Sequence, residues 1–209
     1  MKKITKTISV LMISILFMTY FVGCQNKSVI KAPETTPTPS TTQVITEKEP
    51  PASANPIYKE LAIQYNDNSL QLYDFVDTIK LEKMFGKVEE EKSHTYAADD
   101  GLNMDFLIGL TNKEYKFPGL IIEAINTLDA KDKFHVHNIK ISDPKYSTPK
   151  NIKISDSVSM LKEKYPDATL VPGDDGERYL YRPVDHFDTM EFKIKNDKVS
   201  SINIYSLLD

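Results

Sequence analysis

The stretch Val136-His137-Asn138-Ile139-Lys140-Ile141 returns near the end of the chain as Val199-Ser200-Ser201-Ile202-Asn203-Ile204. Both read Val-x-x-Ile-x-Ile. An apolar residue at every second position marks a strand with one buried face. The two-residue gap after each valine switches the parity of the later isoleucines, which suggests a β-bulge or a local twist at that point. The same irregularity at the same place in two strands predicts a structural unit used twice.

Working outward, the segments that precede the two strands also match. Asp77-Thr78-Ile79-Lys80-Leu81, running to Phe85-Gly86, parallels Asp156-Ser157-Val158-Ser159-Met160, running to Tyr165-Pro166. Each begins with side chains able to cap a helix. Each carries apolar residues at helical spacing (Leu81, Met84, Phe85; Val158, Leu161, Tyr165) and stops at a breaker, Gly86 or Pro166. After each helix comes Asp-Asp-Gly, at 99–101 and 174–176, a hairpin turn signal. The first leads into the alternating Leu102, Met104, Phe106 and Ile108, the second into Tyr179, Leu180 and Tyr181. Further strands are expected at 121–125 and 190–194, with extra loops in the first copy at 109–117 and 126–133. Ahead of both copies, Leu61, Ile63 and Tyr65 alternate and Asn66-Asp67-Asn68 turns the chain into Leu70 and Leu72. That is an opening β-hairpin, with a helix from Pro56 as the alternative. The expected fold is therefore α+β. It comprises two tandem units at 57–147 and 148–209, each a short helix packed on an antiparallel β-meander; a single α+β domain with generic hairpins is the other possibility.

The front of the chain is of another kind. Lys2, Lys3 and Lys6 precede an apolar run that ends in Phe21-Val22-Gly23-Cys24. A positive n-region and a short apolar h-region form a secretory signal, too short for a comfortable membrane span. The end of the run resembles the lipobox of bacterial lipoproteins, with Phe21 where the family prefers leucine. The resemblance implies cleavage between Gly23 and Cys24 and acylation of Cys24, the only cysteine among 209 residues. A diacylglyceryl group supplies two acyl chains, enough for stable attachment where one chain binds only marginally. An ordinary transmembrane anchor containing a cysteine is the alternative. Residues 24–56 are rich in Pro and Thr with little to bury, so they form a disordered tether. Its reach is on the order of 100 Å fully extended and nearer 30 Å as a coil.

Charge narrows the partners. Removing residues 1–23 takes away three lysines and no acid, which moves the formal charge from −4 to −7, while the tether is balanced by three Lys and three Glu. The excess acid therefore lies on the folded region, whose only arginines are Arg178 and Arg182. Such a surface does not suit nucleic acid or anionic lipid. With no cysteine there, the core must stabilise the domain without disulfides. The expected location is the extracytoplasmic face of the cell membrane, held by lipid on Cys24. The partner is a protein or a component of the cell wall.

Thr148-Pro149-Lys150-Asn151-Ile152-Lys153-Ile154-Ser155-Asp156-Ser157-Val158, running on to Tyr165-Pro166, resembles the phrase T-P-x-G-I-x-I-G-D-S-V…Y-G of a family of secreted or lipid-anchored Gram-positive proteins. Asn151 and Ser155 stand where that phrase carries glycines. A short helix followed by an antiparallel meander, used twice, is similar to the β-lactamase-inhibitor-protein-like fold and to small envelope-assembly lipoproteins. The resemblance implies a binding role rather than a catalytic one. It does not license inhibition of β-lactamases, because no inhibitory contact can be matched residue by residue.

The chemistry-bearing residues are few. His135 and His137 on one strand share a face about 7 Å apart, which could hold a metal if a third ligand converged; a polar, exposed face is the other reading. Asp185-His186-Phe187-Asp188 could suggest acid–base work, but no nucleophile stands in a recognisable elbow, and a polar hairpin loop accounts for it. Neither Asp-Asp-Gly has the spacing of a calcium loop. No catalytic residue and no cofactor are expected. Tyr179, Tyr181, Arg182 and Phe187 are of the types enriched at interface anchors and form the candidate binding surface. The function expected is a non-catalytic binding module, with an envelope-assembly or structural lipoprotein as the alternative and an enzyme inhibitor as a third.

Overall fold

The computed structural model describes residues 56–100, 105–173, 176–183 and 187–207. All of these fall within the compact unit Glu47–Asp209. Strands β1 (Ala62–Tyr65) and β2 (Asn68–Gln71) form the opening hairpin, entered by a 3-10 turn at Pro56–Glu60. Asn66 makes the turn with φ 52, a left-handed conformation that asparagine tolerates better than most residues.

Both expected helices are present. In α1 (Thr78–Phe85) the Asp77 carboxylate accepts from the Lys80 backbone N–H, and Gly86 at φ 90 ends the helix. In α2 (Val158–Lys164) the Ser157 hydroxyl accepts from the Met160 N–H. Each cap satisfies a backbone donor that the first turn leaves unpaired.

The other strands are β3 (Phe75–Val76), β4 (Glu90–Thr95), β5 (Thr111–Phe117), β6 (Leu120–Thr127), β7 (Ala130–Ile141), β8 (Thr169–Gly173), β9 (Gly176–Tyr181), β10 (Thr189–Lys195) and β11 (Lys198–Tyr205). They form one antiparallel sheet in the order β4-β5-β6-β7-β11-β10-β9-β8, with β3 added against β7. This overturns the expectation of two tandem helix-on-meander units. The chain is predominantly β, and Ile139 and Ile141 of β7 pair directly with Ile204 and Ile202 of β11. The physical reason is edge satisfaction. A meander standing alone would leave the N–H and C=O groups of its last strand unpaired, and pairing β7 with β11 closes both edges at once. Two helices of eight and seven residues on one face leave the broad α+β description only loosely compatible.

Register aligns one apolar face across the sheet. Phe117 lies opposite Leu120, Leu120 opposite Ile141, Ile141 opposite Ile202, Ile202 opposite Phe192 and Phe192 opposite Tyr179. Leu81, Phe85, Val158 and Leu161 of the helices, with Leu61, Ile63, Leu70 and Leu72 of the opening hairpin segment, belong to the same buried core. Each such side chain contributes about 1.5–3 kcal/mol through burial.

The parity switch is a bulge in both strands. Val136 pairs with Ala124 and Asn138 with Glu123, which leaves His137 as the extra residue. Val199 pairs with Ile194 and Ser201 with Lys193, which leaves Ser200 extra, its hydroxyl donating to the Lys193 carbonyl at 3.1 Å.

Other expectations fail locally. Phe106 belongs to a 3-10 turn at Asp105–Leu107 and not to a strand; both it and Ile108 are exposed. The supposed loop 109–117 is mostly β5, and 126–133 is the tight junction of β6 and β7. Strand β4, polar and exposed along its whole length, carries no apolar alternation by which to find it.

Candidate functional site

Every residue opposite a core position in register alternates with one that points to the other face of the sheet. That second face carries mostly polar residues, although Ile125, opposite His135, is buried on it outside the core cluster, and the Tyr73 ring stacks on His135. The centre of the face is β11, where Ser201 and Asn203 are flanked by longer side chains. Asn203 lies opposite Lys140 of β7 and Glu191 of β10, and Ser201 lies opposite Lys193. The small floor between long walls makes a trough of about 320 Å³, to which Ile121 of β6 adds the main apolar side chain. Tyr205, opposite Asn138 and Thr189, lies on the same face at one end.

Several polar groups of this face are withdrawn from water. Glu191 is buried and meets Arg178 Nη1 at 3.4 Å. Lys140 is ion-paired with Glu123. Asn138 Oδ1, Asn203 Oδ1 and Arg178 Nε are buried with no hydrogen-bond partner. An unpaired buried polar atom costs about 1–3 kcal/mol, which the rest of the fold offsets.

The two histidines do share this face, but the bulge separates their environments. His137 is buried, its Nε2 2.8 Å from Asn112 Oδ1 and 4.0 Å from Glu123 Oε2. Burial pulls its pKa down to about 4, against the opposing pull of Glu123. With the imidazole neutral, Nε2–H is the donor to the amide oxygen. His135 stacks on Tyr73 at 6.2 Å between ring centroids, and burial lowers its pKa as well. No group of three or more His, Cys, Asp or Glu residues able to hold a metal occurs among the described residues.

The four interface candidates are not brought together. Tyr179 and Tyr181 face the core and are buried; Tyr181 packs edge-on against Tyr165 at 4.8 Å. The Tyr181 hydroxyl donates to the Glu60 carboxylate and accepts from Lys150 Nζ at 3.2 Å. Arg182 and Phe187 are exposed at the β9–β10 connection, where Arg182 Nε donates to Thr189 Oγ1 at 3.1 Å. Tyrosine type alone pointed to an interface; alternation along β9 is the signal that places 179 and 181 inside. Alternation would likewise have found the trough, since Ser201, Asn203 and Tyr205 are the off-beat positions of the strand whose apolar beat is Ile202 and Ile204. Gly23, Cys24 and the segment Val184–His186 lie outside the described residues. No helix among the described residues is long and apolar enough to cross a membrane.

No protein-family model matches the chain, and no curated protein does. Among solved structures, the uncharacterised protein YfeY from Escherichia coli is similar at 12% identity and a TM-score of 0.36, over 65% of this chain and 92% of that one. A cysteine-rich secretory protein from Staphylococcus aureus is similar at 11% identity and a TM-score of 0.30, over 64% of this chain and 43% of that one. Likenesses this slight leave the functional argument to the residues themselves.

Proposed function

We propose that the protein is a lipid-anchored, non-catalytic binding module of the extracytoplasmic membrane face, which engages its ligand through the open face of the nine-stranded sheet. The trough along β11 carries this reading: Ser201 and Asn203 floor it between Lys140, Glu191 and Lys193, with Ile121 at its side. A concavity that combines an apolar side chain with charged and amide groups has the make-up of a binding site. The Phe21-Val22-Gly23-Cys24 junction after the apolar run, and the Pro/Thr-rich tether behind it, support the anchored location.

The reading has two tests. Cells expressing the Cys24→Ala chain should release the protein or retain it unprocessed in membrane fractions, and unchanged acylation would sink the anchoring. For the open face, surface cross-linking of the wild-type chain should yield adducts at the trough that Ser201→Trp, which fills it, eliminates. Adducts indifferent to that substitution would place binding elsewhere.

A further inference from the structure

We propose that Glu60, Lys150 and Tyr181 form a mechanical clasp, which keeps the first turn of the folded region from being peeled away when the chain is pulled from its N-terminal side. The clasp rests on the anchored reading, in which a domain that holds its ligand is pulled back by its own tether.

Tension entering ahead of Pro56 meets the fold in chain order. The first described side chain, Tyr58, stands edge-on to Tyr73 at 4.7 Å between ring centroids. Glu60 comes next, and it is tied to two segments distant in sequence. Lys150 Nζ lies 3.3 Å from Glu60 Oε2, and the Tyr181 hydroxyl donates to the same oxygen. Lys150 Nζ also donates to the Tyr181 hydroxyl at 3.2 Å, so each of the three groups is bonded to the other two. The ammonium lies over the rings of Tyr165 and Tyr181, at 4.9 and 4.7 Å from their centroids. It cannot follow a departing carboxylate without leaving both rings. The Tyr181 hydroxyl holds the Glu60 pKa below its ordinary value, against partial burial and with help from Lys150, so the clasp is charged at neutral pH.

Behind the clasp lies a seam. Strands β1 and β2 make a two-stranded sheet apart from the nine-stranded one. Outside its hairpin β1 meets the backbone at Gln64, which exchanges bonds of 2.7 and 3.1 Å with Ser147. Leu61 and Ile63, directly behind Glu60, are fully buried in the core that the sheet shares. Apolar contacts are non-directional and give way one by one as a chain is drawn out from its end. Charge-assisted bonds of fixed geometry resist until they break together. At equilibrium the pair contributes little, since the Lys150 and Glu60 side chains are 35% and 43% exposed. Its place at the entry of the chain gives it leverage under directed force, where the rate of unfolding decides survival.

The test is single-molecule pulling on the full, unacylated chain at constant force, with one handle on the Cys24 thiol and the other at the C-terminus. Glu60→Gln and Lys150→Met should each shorten the folded lifetime about tenfold, and the double variant no more than either alone. A second geometry, Cys24→Ser with Lys87→Cys, moves the handle past the hairpin so that the load bypasses Glu60. There the same substitutions should change the lifetime by less than about twofold. Lifetimes unchanged in the Cys24 geometry overturn the clasp. Equal shortening in both geometries overturns it as well, because the contact is then an ordinary stabiliser. If Cys24→Ala leaves acylation unchanged in cells while the lifetimes depend on direction as expected, the clasp stands and the anchored reading falls.

Discussion

The Tyr73 hydroxyl donates a 2.9 Å hydrogen bond to Asp188 Oδ1, joining residues 115 positions apart in the chain. The same hydroxyl lies 2.6 Å from Ser206 Oγ. Tyr73 holds φ 67, a left-handed conformation rare for an aromatic residue, which costs about 1–3 kcal/mol. The surroundings hold it there: its N–H donates to the Val136 carbonyl at 2.8 Å, and its ring lies against Tyr58 and His135. Burial pushes the phenol pKa well above the ordinary value, so the group stays a neutral donor to a buried carboxylate. Tyr73→Phe should therefore lower stability by about 1–3 kcal/mol in urea unfolding, because Asp188 is left buried without this donor. A change near zero would mean that water replaces the phenol.

The buried bulge residue gives the fold an acid limit. The unfolded chain takes up a proton on His137 near pH 6.5, and the folded chain only near pH 4. Between those values the unfolded state binds more protons, so stability is complete above about pH 6.5 and falls as the pH drops toward 4, by about 3 kcal/mol from this group. His135, also lowered by burial, acts in the same direction. Urea midpoints measured from pH 7.5 to 4 should show this slope, and His137→Gln, which keeps a donor for Asn112, should flatten it.

Backbone strain at Ser155 can be relieved. Its φ of 76 lies in the left-handed region, while its N–H donates to the Val199 carbonyl at 2.8 Å. Ser155→Gly should stabilise by about 0.5–1 kcal/mol, since glycine meets no Cβ penalty there. Asn151, at φ 60, should gain less from the same change, because asparagine tolerates the region. A thermal melt compares the two variants directly.

One continuous sheet also predicts one unfolding transition. Phe192 is fully buried on β10 and pairs with Ile202 of β11, which pairs in turn with Ile141 of β7. Phe192→Ala should cost about 3–5 kcal/mol and speed amide exchange in β5 and β6 together with β9 and β10. Loss of protection confined to residues 148–209 would show that the two halves unfold separately.

The sequence anticipated these features unevenly, and the pattern has a physical basis. The two helices and their caps were legible because Asp77, Ser157 and Gly86 act on neighbours within one turn. The opening hairpin was legible from Asn66 and the alternation on either side of it. The paired bulges were legible because an extra residue shifts the apolar beat, and the beat of Val136–Ile141 and Val199–Ile204 recorded it. The left-handed backbone at Asn151 and Ser155 was not read from the sequence. Strand β4 left no such trace: it is an edge strand with every residue exposed, and nothing in it alternates.

The sequence by itself determined the local conformations, the acidic charge of the folded region and the separate character of residues 1–56. Those properties depend on neighbours in the chain and on composition. Only the tertiary structure decided that β7 and β11 join in one sheet, and hence that Ser201 and Asn203 lie between Lys140 and Lys193. Alternation says which residues of a strand share a face, but which strand becomes its neighbour is set by edge satisfaction across more than sixty residues of chain. Local spacing carries no record of that choice.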